Sequence, residues 1–231
     1  MVNQERKTEI ANGLEITISR INAAAKSANR NPSDISLIVV TKTFPRSDAD
    51  FLYELGVRDF GENRDQEAAP KVSALPADIT WHFQGGIQSN KLKSISNWAS
   101  VIHSVDKFKY AQMISQFSVG KTKEIFIQVS LDTLPQSREG VDPADLMQLA
   151  EQIMSLPNLE VKGLMAVAPL DQPTEQAFVR LQQIQQKFIQ LYPAASSLSS
   201  GMSGDYELAI SLGATHVRIG SSILGNRSPI K

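Results

Sequence analysis

Short apolar runs alternate with longer amphipathic segments along almost the whole chain. In the first segment, from Asn3 to about Ala28, apolar residues recur at helical intervals with polar residues between them: Ile10, Leu14, Ile18 and Ile21. This spacing places the four side chains on one stripe of a helix. The pattern therefore predicts an opening amphipathic helix.

Eight β-rich runs follow that helix, separated by helical patterns; they are residues 35–40, 58–61, 79–83, 100–104, 124–129, 161–167, 197–199 and 216–220. Such alternation favours right-handed βαβ units and a parallel sheet. Eight units are what an α/β barrel requires, whereas an open doubly wound sheet more often has about five or six strands. No linker or repeat divides the chain, so we predict a single-domain TIM-like (β/α)8 barrel over residues 1–231 with an extra N-terminal helix.

Composition narrows the class of protein. Of 231 residues, 42% are hydrophobic and 20% charged, the formal net charge is −1, and acids and bases are interspersed, which is unlike a nucleic-acid-binding surface. The absence of cysteine excludes disulfides and thiolate metal ligands, and no histidine–carboxylate spacing suggests a metal site. The polar N-terminus lacks a signal-peptide core, and no apolar run is long enough to span a membrane. We expect a cytoplasmic protein with a small, anionic ligand.

Glycine- and serine-rich segments follow the seventh and eighth predicted strands. In α/β barrels the loops at these two places commonly form a phosphate site, because small residues let backbone N–H groups approach the anion. Either segment alone is better explained as an ordinary turn, and it is the occurrence of two such segments at the two expected places that favours a phosphate site. The residues suited to the phosphate site are Gly201, Ser203 and Gly204 in the first segment, and Gly220, Ser221 and Ser222 in the second.

Lys42 ends the first predicted strand and shares side-chain parity with Val40 and Ile38, so it is expected to point into the barrel mouth. Partial desolvation would favour its neutral amine, a nucleophile that forms a Schiff base with an aldehyde. The alternative is a lysine that reaches solvent or pairs with an acid such as Glu62. An amine and a phosphate site on one rim suit pyridoxal 5′-phosphate (PLP), which is anchored through its phosphate and its aldehyde carbon.

Arg218 lies two residues before Gly220, so it is expected to face the barrel interior while Val217 and Ile219 pack outward. An inward arginine could donate a hydrogen bond to a pyridine nitrogen and keep that nitrogen unprotonated. The alternative is a buried structural ion pair.

Six stretches, in this order, carry a family resemblance: "VVTKTFP", "FGEN" followed by "QE", "WHFQGGIQSNK", "IHSVD", "GLMAVAP" and "LSSGMSGDYELAISLGATHVRIGSSILG". Through them the chain resembles the pyridoxal phosphate homeostasis proteins from about Leu37 to Arg227. That family's fold is similar to the barrel domain of alanine racemase, known as PLP fold type III.

The resemblance implies a cofactor-binding role for residues that the motifs contain. Lys42 would carry the Schiff base, Ser203 and the backbone of Gly220 and Ser221 would contact the phosphate, and Arg218 would lie near the ring nitrogen. The same comparison implies pocket walls formed by Asn63, His82 and Met165, while Gly204 enters from the phosphate-loop argument above.

Three positions depart from the family pattern. The chain has Gln84 where the family has an apolar residue, Arg64 in place of an aromatic residue, and Arg138 where a lysine is common. These departures leave the cofactor anchors in place but bear on contacts with partners and on transfer of the cofactor.

The resemblance implies a protein that binds PLP and takes part in its homeostasis. We expect a monomer with no dedicated catalytic turnover, a weak side racemase activity left open, and PLP-dependent apoenzymes as its expected protein partners. One alternative is a PLP-dependent amino-acid racemase, which needs a second base on the opposite face of the substrate. The four tyrosines are expected in helices, away from a suitable place for that base, and we expect no room for an additional β-domain. The other alternative is an aldolase-like barrel that uses Lys42 with a phosphorylated sugar.

Overall fold

The structure, a computed structural model, describes residues 2–132, 139–170 and 172–225. Its strands are β1 Ser36–Val40, β2 Asp59–Glu62, β3 Thr80–Phe83, β4 Val101–Val105, β5 Lys123–Gln128, β6 Leu159–Met165, β7 Ser197–Ser199 and β8 His216–Ile219. Its α-helices are α1 Val2–Ser27, α2 Arg46–Glu54, α3 Asp65–Ala74, α4 Leu92–Trp98, α5 Phe108–Phe117, α6 Leu146–Met154, α7 Thr174–Leu191, α8 Tyr206–Ser211 and α9 Ser221–Leu224. Within the described ranges, no helix has both the length and the apolar character that crossing a membrane demands.

The eight strands form one closed parallel barrel in sequence order, and β1 pairs with β8 to complete it. This confirms the predicted TIM-like fold. Each predicted run overlaps one strand, with ends displaced by at most about two residues; the run predicted at 161–167, for example, is Leu159–Met165. Because all strands are parallel, their carboxyl ends meet at one mouth of the barrel.

The barrel wall separates an apolar layer from a polar interior. Between the sheet and its helices lies the main core, to which Val39, Phe60 and Val217 belong. The interior includes a small apolar cluster around Phe126 and Met165. Its other buried side chains include four polar groups: His82, His103, Ser199 and Arg218. Branched apolar residues dominate most barrel interiors, whereas this interior also buries a group of polar side chains.

Helix α1 packs against the helix that follows β8. A Cβ placed on Gly13 would lie 2.5 Å from the carbonyl oxygen of Ile223 in α9, so only glycine permits this approach. Arg6 donates to the Asp48 carboxylate at 2.6 Å and to the Leu224 carbonyl at 2.9 Å. Helix α1 thereby ties the start of α2 to the end of α9, two segments that flank the barrel mouth.

We expect Gly13→Ala to lower the free energy of unfolding by roughly 1–3 kcal/mol, because the new methyl group must displace α9. Helix propensity alone gives the opposite sign, since alanine is favoured over glycine inside a helix by about 1 kcal/mol. Urea unfolding measures the difference. Ser19→Ala, on an exposed part of the same helix, is the control. A Gly13→Ala protein more stable than the wild type would contradict the close packing of α1 on α9.

Candidate functional site

A cavity of about 450 Å³ opens at the carboxyl-terminal mouth of the barrel. It brings together seven residues that the sequence singled out: Lys42, Met165, Ser203, Gly204, Arg218, Gly220 and Ser221. Five further lining residues were not predicted as site residues: Val40, Phe44, Gln84, Val167 and Met202. Strand parity could have indicated Val40, two residues before Lys42, whereas the loop residues carry no such signal.

Two predicted residues lie elsewhere. Asn63 follows β2 and lines a second cavity of about 240 Å³, together with Arg64. His82 is buried inside the barrel beneath the mouth, where Nε2 lies 3.0 Å from Asp59 Oδ1 and Nδ1 lies 2.9 Å from His103 Nε2. Of the three departures from the family pattern, Gln84 lines the main cavity and Arg64 the second one, while Arg138 lies outside the described residues.

The loop that carries Lys42 is held in an uncommon conformation. Thr43, the next residue, has a φ of 67°, a left-handed value that is rare and strained for a β-branched residue. Its N–H donates to Glu67 Oε2 of α3 at 2.9 Å, and the N–H of Thr41 donates to the Gly61 carbonyl at 3.0 Å. These bonds on both sides of Lys42 fix the direction in which the chain leaves β1.

A buried ion pair lies behind this loop. Glu62 Oε1 accepts from Lys71 Nζ at 2.6 Å and from Thr41 Oγ1 at 2.7 Å, and Lys71 Nζ also donates to the Thr41 carbonyl at 2.7 Å. Burial raises the pKa of the Glu62 carboxyl, although Lys71 and Thr41 partly offset that effect. Glu62, the acid weighed as a partner for Lys42, is thus bonded to Lys71.

The two glycine- and serine-rich loops meet at the cavity rim. Ser203 Oγ accepts from the N–H of Gly220 at 3.3 Å and from that of Ser222 at 3.4 Å. Gly201 has a φ of 91°, and a Cβ there would lie 2.8 Å from the Cα of Tyr206, so the first loop needs glycine to turn against α8. The two loops therefore meet at the rim, as predicted.

The lining has the chemistry of an anion site. Among the described residues around the cavity, the charged groups are Lys42 and Arg218, and no carboxylate is present. A Cβ on Gly204 would have no neighbour within 4 Å, so this part of the rim is open. A phosphate could approach the serine hydroxyls and backbone N–H groups here. The residues present thus fit a phosphorylated ligand that also reacts with an amine.

Arg218 faces the interior, and Val217 and Ile219 face the outer core, as their parity indicated. Its guanidinium donates to Ser199 Oγ at 2.6 Å and to the Ala166 carbonyl at 3.1 Å. Burial lowers the pKa of Arg218 to about 10, so it remains a cation near neutral pH. Since both of these acceptors are neutral oxygens, the cation is held in place without being neutralised by them.

These features define a class of protein: an α/β barrel whose mouth joins a strand-end lysine, a buried arginine and a donor-rich phosphate cradle. The chain belongs to the pyridoxal phosphate homeostasis protein family, within the wider family described as alanine racemase, N-terminal domain, whose profile matches residues 22–228.

Relatives and solved structures agree with this assignment. The pyridoxal phosphate homeostasis protein of Mycobacterium bovis is 36% identical over 245 aligned positions, covering 96% of this chain and 95% of that protein. The protein of the same name from Pseudomonas aeruginosa is 38% identical, covering 94% and 96%.

Among solved structures, PipY of Synechococcus elongatus with PLP bound is 34% identical, with a TM-score of 0.79 and coverage of 94% of this chain and 100% of that one. An alanine racemase from Clostridium difficile is 14% identical, with a TM-score of 0.73 and coverage of 95% and 58%. This last likeness concerns the fold alone.

We expect Lys71→Met to lower the free energy of unfolding by roughly 3–5 kcal/mol, because it leaves the Glu62 carboxylate buried without its cation. The double variant Lys71→Met/Glu62→Gln should recover much of that loss, since no buried charge remains. Burial raises the pKa of Glu62, so the loss in Lys71→Met should shrink as the pH falls and the carboxyl becomes protonated. Denaturant unfolding at several pH values tests this; a double variant no more stable than Lys71→Met would contradict it.

We expect His216 to contribute to acid sensitivity. Burial lowers its pKa from 6.5 to about 4, so the folded state binds its proton less readily than the unfolded state does. The stability from this group is therefore present above about pH 6.5 and is lost as the pH falls towards about 4. His216→Gln should show a shallower decline of unfolding free energy over that range than the wild type. Parallel curves for the two proteins would contradict this.

Proposed function

We propose that this chain binds pyridoxal 5′-phosphate in the mouth cavity, holds it covalently through Lys42, and takes part in the intracellular homeostasis of the cofactor. The observation that carries the proposal is the placement of one amine, Lys42, in the same cavity as the cradle built from Ser203 and Gly220. The family assignment and the PLP-bound state of PipY support it.

Each of the predicted lining residues then has a role. The Lys42 amine would form a Schiff base with the aldehyde, and Ser203 with the backbone N–H groups of Gly220 and Ser221 would hold the phosphate. Gly204 would leave room for that phosphate, and Met165 would pack against the ring.

Arg218 would donate to the ring nitrogen. When bound, PLP supplies an electron-withdrawing ring that stabilises negative charge on a substrate carbon, most strongly when its nitrogen is protonated. Arg218 is itself a cation, so it disfavours a second positive charge on that nitrogen. This arrangement weakens the ring as an electron sink.

Asn63 and His82 do not line the mouth cavity. Asn63 would act from the second cavity, where its buried Oδ1 has no hydrogen-bond partner. His82 lies beneath the mouth and would act through its neighbours in the barrel interior.

Absence of a dedicated turnover is part of the proposal. A racemase places a second base opposite the lysine, and all four tyrosines of this chain lie in the described ranges without lining the cavity. Tyr206, in α8 beside the cradle loop, is 1% exposed and packs in the outer core. No side chain in the described lining takes the part of that second base.

We expect purified wild-type protein incubated with PLP to keep a visible absorbance band after gel filtration, and Lys42→Ala to lose it. Borohydride reduction followed by peptide mapping should place the cofactor on Lys42. Lys93→Ala, which changes an exposed lysine, is the matched control and should keep the band. A wild type without the band, or a Lys42→Ala protein that retains it fully, would refute the proposal. A phosphorylated sugar bound as an imine would give no visible band.

A further inference from the structure

An unbroken row of hydrogen bonds crosses the barrel interior from its amino-terminal end to the mouth. Asp59 Oδ1 lies 3.0 Å from His82 Nε2, His82 Nδ1 lies 2.9 Å from His103 Nε2, and His103 Nδ1 lies 2.9 Å from Ser199 Oγ. The row ends where Arg218 donates to Ser199 Oγ at 2.6 Å. We call these five residues the interior chain.

At the mouth end, the bond from Arg218 leaves the Ser199 proton available for His103. Arginine only donates hydrogen bonds, so Ser199 Oγ must accept from Arg218. Ser199 then has one proton to donate, and the ring nitrogen 2.9 Å away, His103 Nδ1, is within hydrogen-bond distance. In this arrangement His103 Nδ1 carries no proton.

The other end requires the same direction when His82 is neutral. Asp59 begins β2, its side chain is 42% exposed, and an ionised carboxylate there only accepts hydrogen bonds. His82 therefore donates through Nε2–H, and a neutral His82 accepts at Nδ1. The donor to His82 Nδ1 must be His103 Nε2–H, which again leaves His103 Nδ1 as an acceptor for Ser199.

The surroundings keep the central ring neutral. His103 is fully buried and stacks on Phe126, with ring centroids 4.5 Å apart and an angle of 10° between the planes. Burial, followed by the neighbouring His82, Arg218 and His216, lowers the pKa of His103 well below its usual value. A neutral ring has one donor and one acceptor, which is what the interior chain requires of it.

We propose that His103 is a positioning residue for Arg218, acting through the Ser199 hydroxyl, and that Asp59 sets the direction of the interior chain from the opposite end of the barrel. The consequence for the ligand rests on the proposed function, because Arg218 would face the ring nitrogen of the cofactor. The neutral Ser199 hydroxyl, oriented by His103, holds the Arg218 guanidinium in place. The positive charge of the guanidinium then remains directed at the cavity.

The direction of the chain can be measured without any ligand. The protein has only three histidines, so ¹⁵N-histidine labelling gives a spectrum that His→Gln variants can assign. We expect His82 and His103 both to carry their proton on Nε2, and a scalar coupling across the hydrogen bond to join His82 Nδ1 to His103 Nε2. A proton on Nδ1 of either ring, or no coupling between the rings, would overturn the proposal.

The positioning role is tested by a double-mutant cycle on PLP affinity. Ser199→Ala removes the acceptor of Arg218, and His103→Gln keeps a donor near His82 but removes the acceptor at the Nδ1 position. We expect each to raise the Kd for PLP about three- to tenfold. Because both act through one hydrogen bond, the double variant should bind no more weakly than the weaker single variant. Effects that multiply would show that His103 acts independently of Ser199 and would overturn the proposal.

Two further variants separate positioning from general structural damage. His103→Asn places an amide oxygen near the Nδ1 position, so it should restore affinity relative to His103→Gln; failure to do so in a folded protein counts against the role of His103. His216→Gln changes the third interior histidine, whose side chain hydrogen-bonds to Thr215 and to no residue of the interior chain. This variant should leave the Kd for PLP unchanged. If wild-type protein takes up no PLP, the proposed function fails, while the histidine spectrum still decides the direction of the interior chain.

Discussion

The pairing of β1 with β8 is the constraint on which the site depends. Ile38 lies opposite Arg218 and Val39 opposite Ile219 in that pair, so residues separated by most of the chain become neighbours. Lys42 follows the end of β1, and Gly220 follows the end of β8. Closure of the barrel therefore converts an isolated lysine and an isolated glycine-rich turn into two sides of one cavity, which neither segment could form alone.

Helix α1 supports this arrangement from outside the barrel. The cradle helix α9 is only one turn long and would be marginal alone, because short helices depend on tertiary packing. Gly13 lets α1 approach the backbone of Ile223, and Arg6 bonds to the last carbonyl of α9, that of Leu224, as well as to Asp48. The N-terminal helix is thus a structural wall for the cradle, and its contribution to stability bears directly on the position of the N–H groups at the rim.

The fold and most of the site could be predicted from the sequence, because strand period and small-residue loops are local signals. Side-chain parity placed Lys42 and Arg218 on the correct face, but parity does not determine depth. His82 has the correct parity and lies one layer below the mouth, opposite Gly61 in the register. Asp59 and Ser199 carry no local signal of a role, since each acquires its partners only across the closed barrel.

The polar interior explains how the barrel can hold the Arg218 cation beside the mouth cavity. A buried guanidinium is costly unless it is well hydrogen-bonded, and a carboxylate partner would reduce the cost but also cancel the field at the mouth. Ser199 and the Ala166 carbonyl satisfy Arg218 without doing so. Ser199 can serve this purpose only if its own proton has an acceptor, and a buried histidine kept neutral by its surroundings supplies one. Neutral His103 therefore allows Ser199 to accept from Arg218 without cancelling its charge. The interior dipoles are ordered so that this positive charge is directed at the cavity.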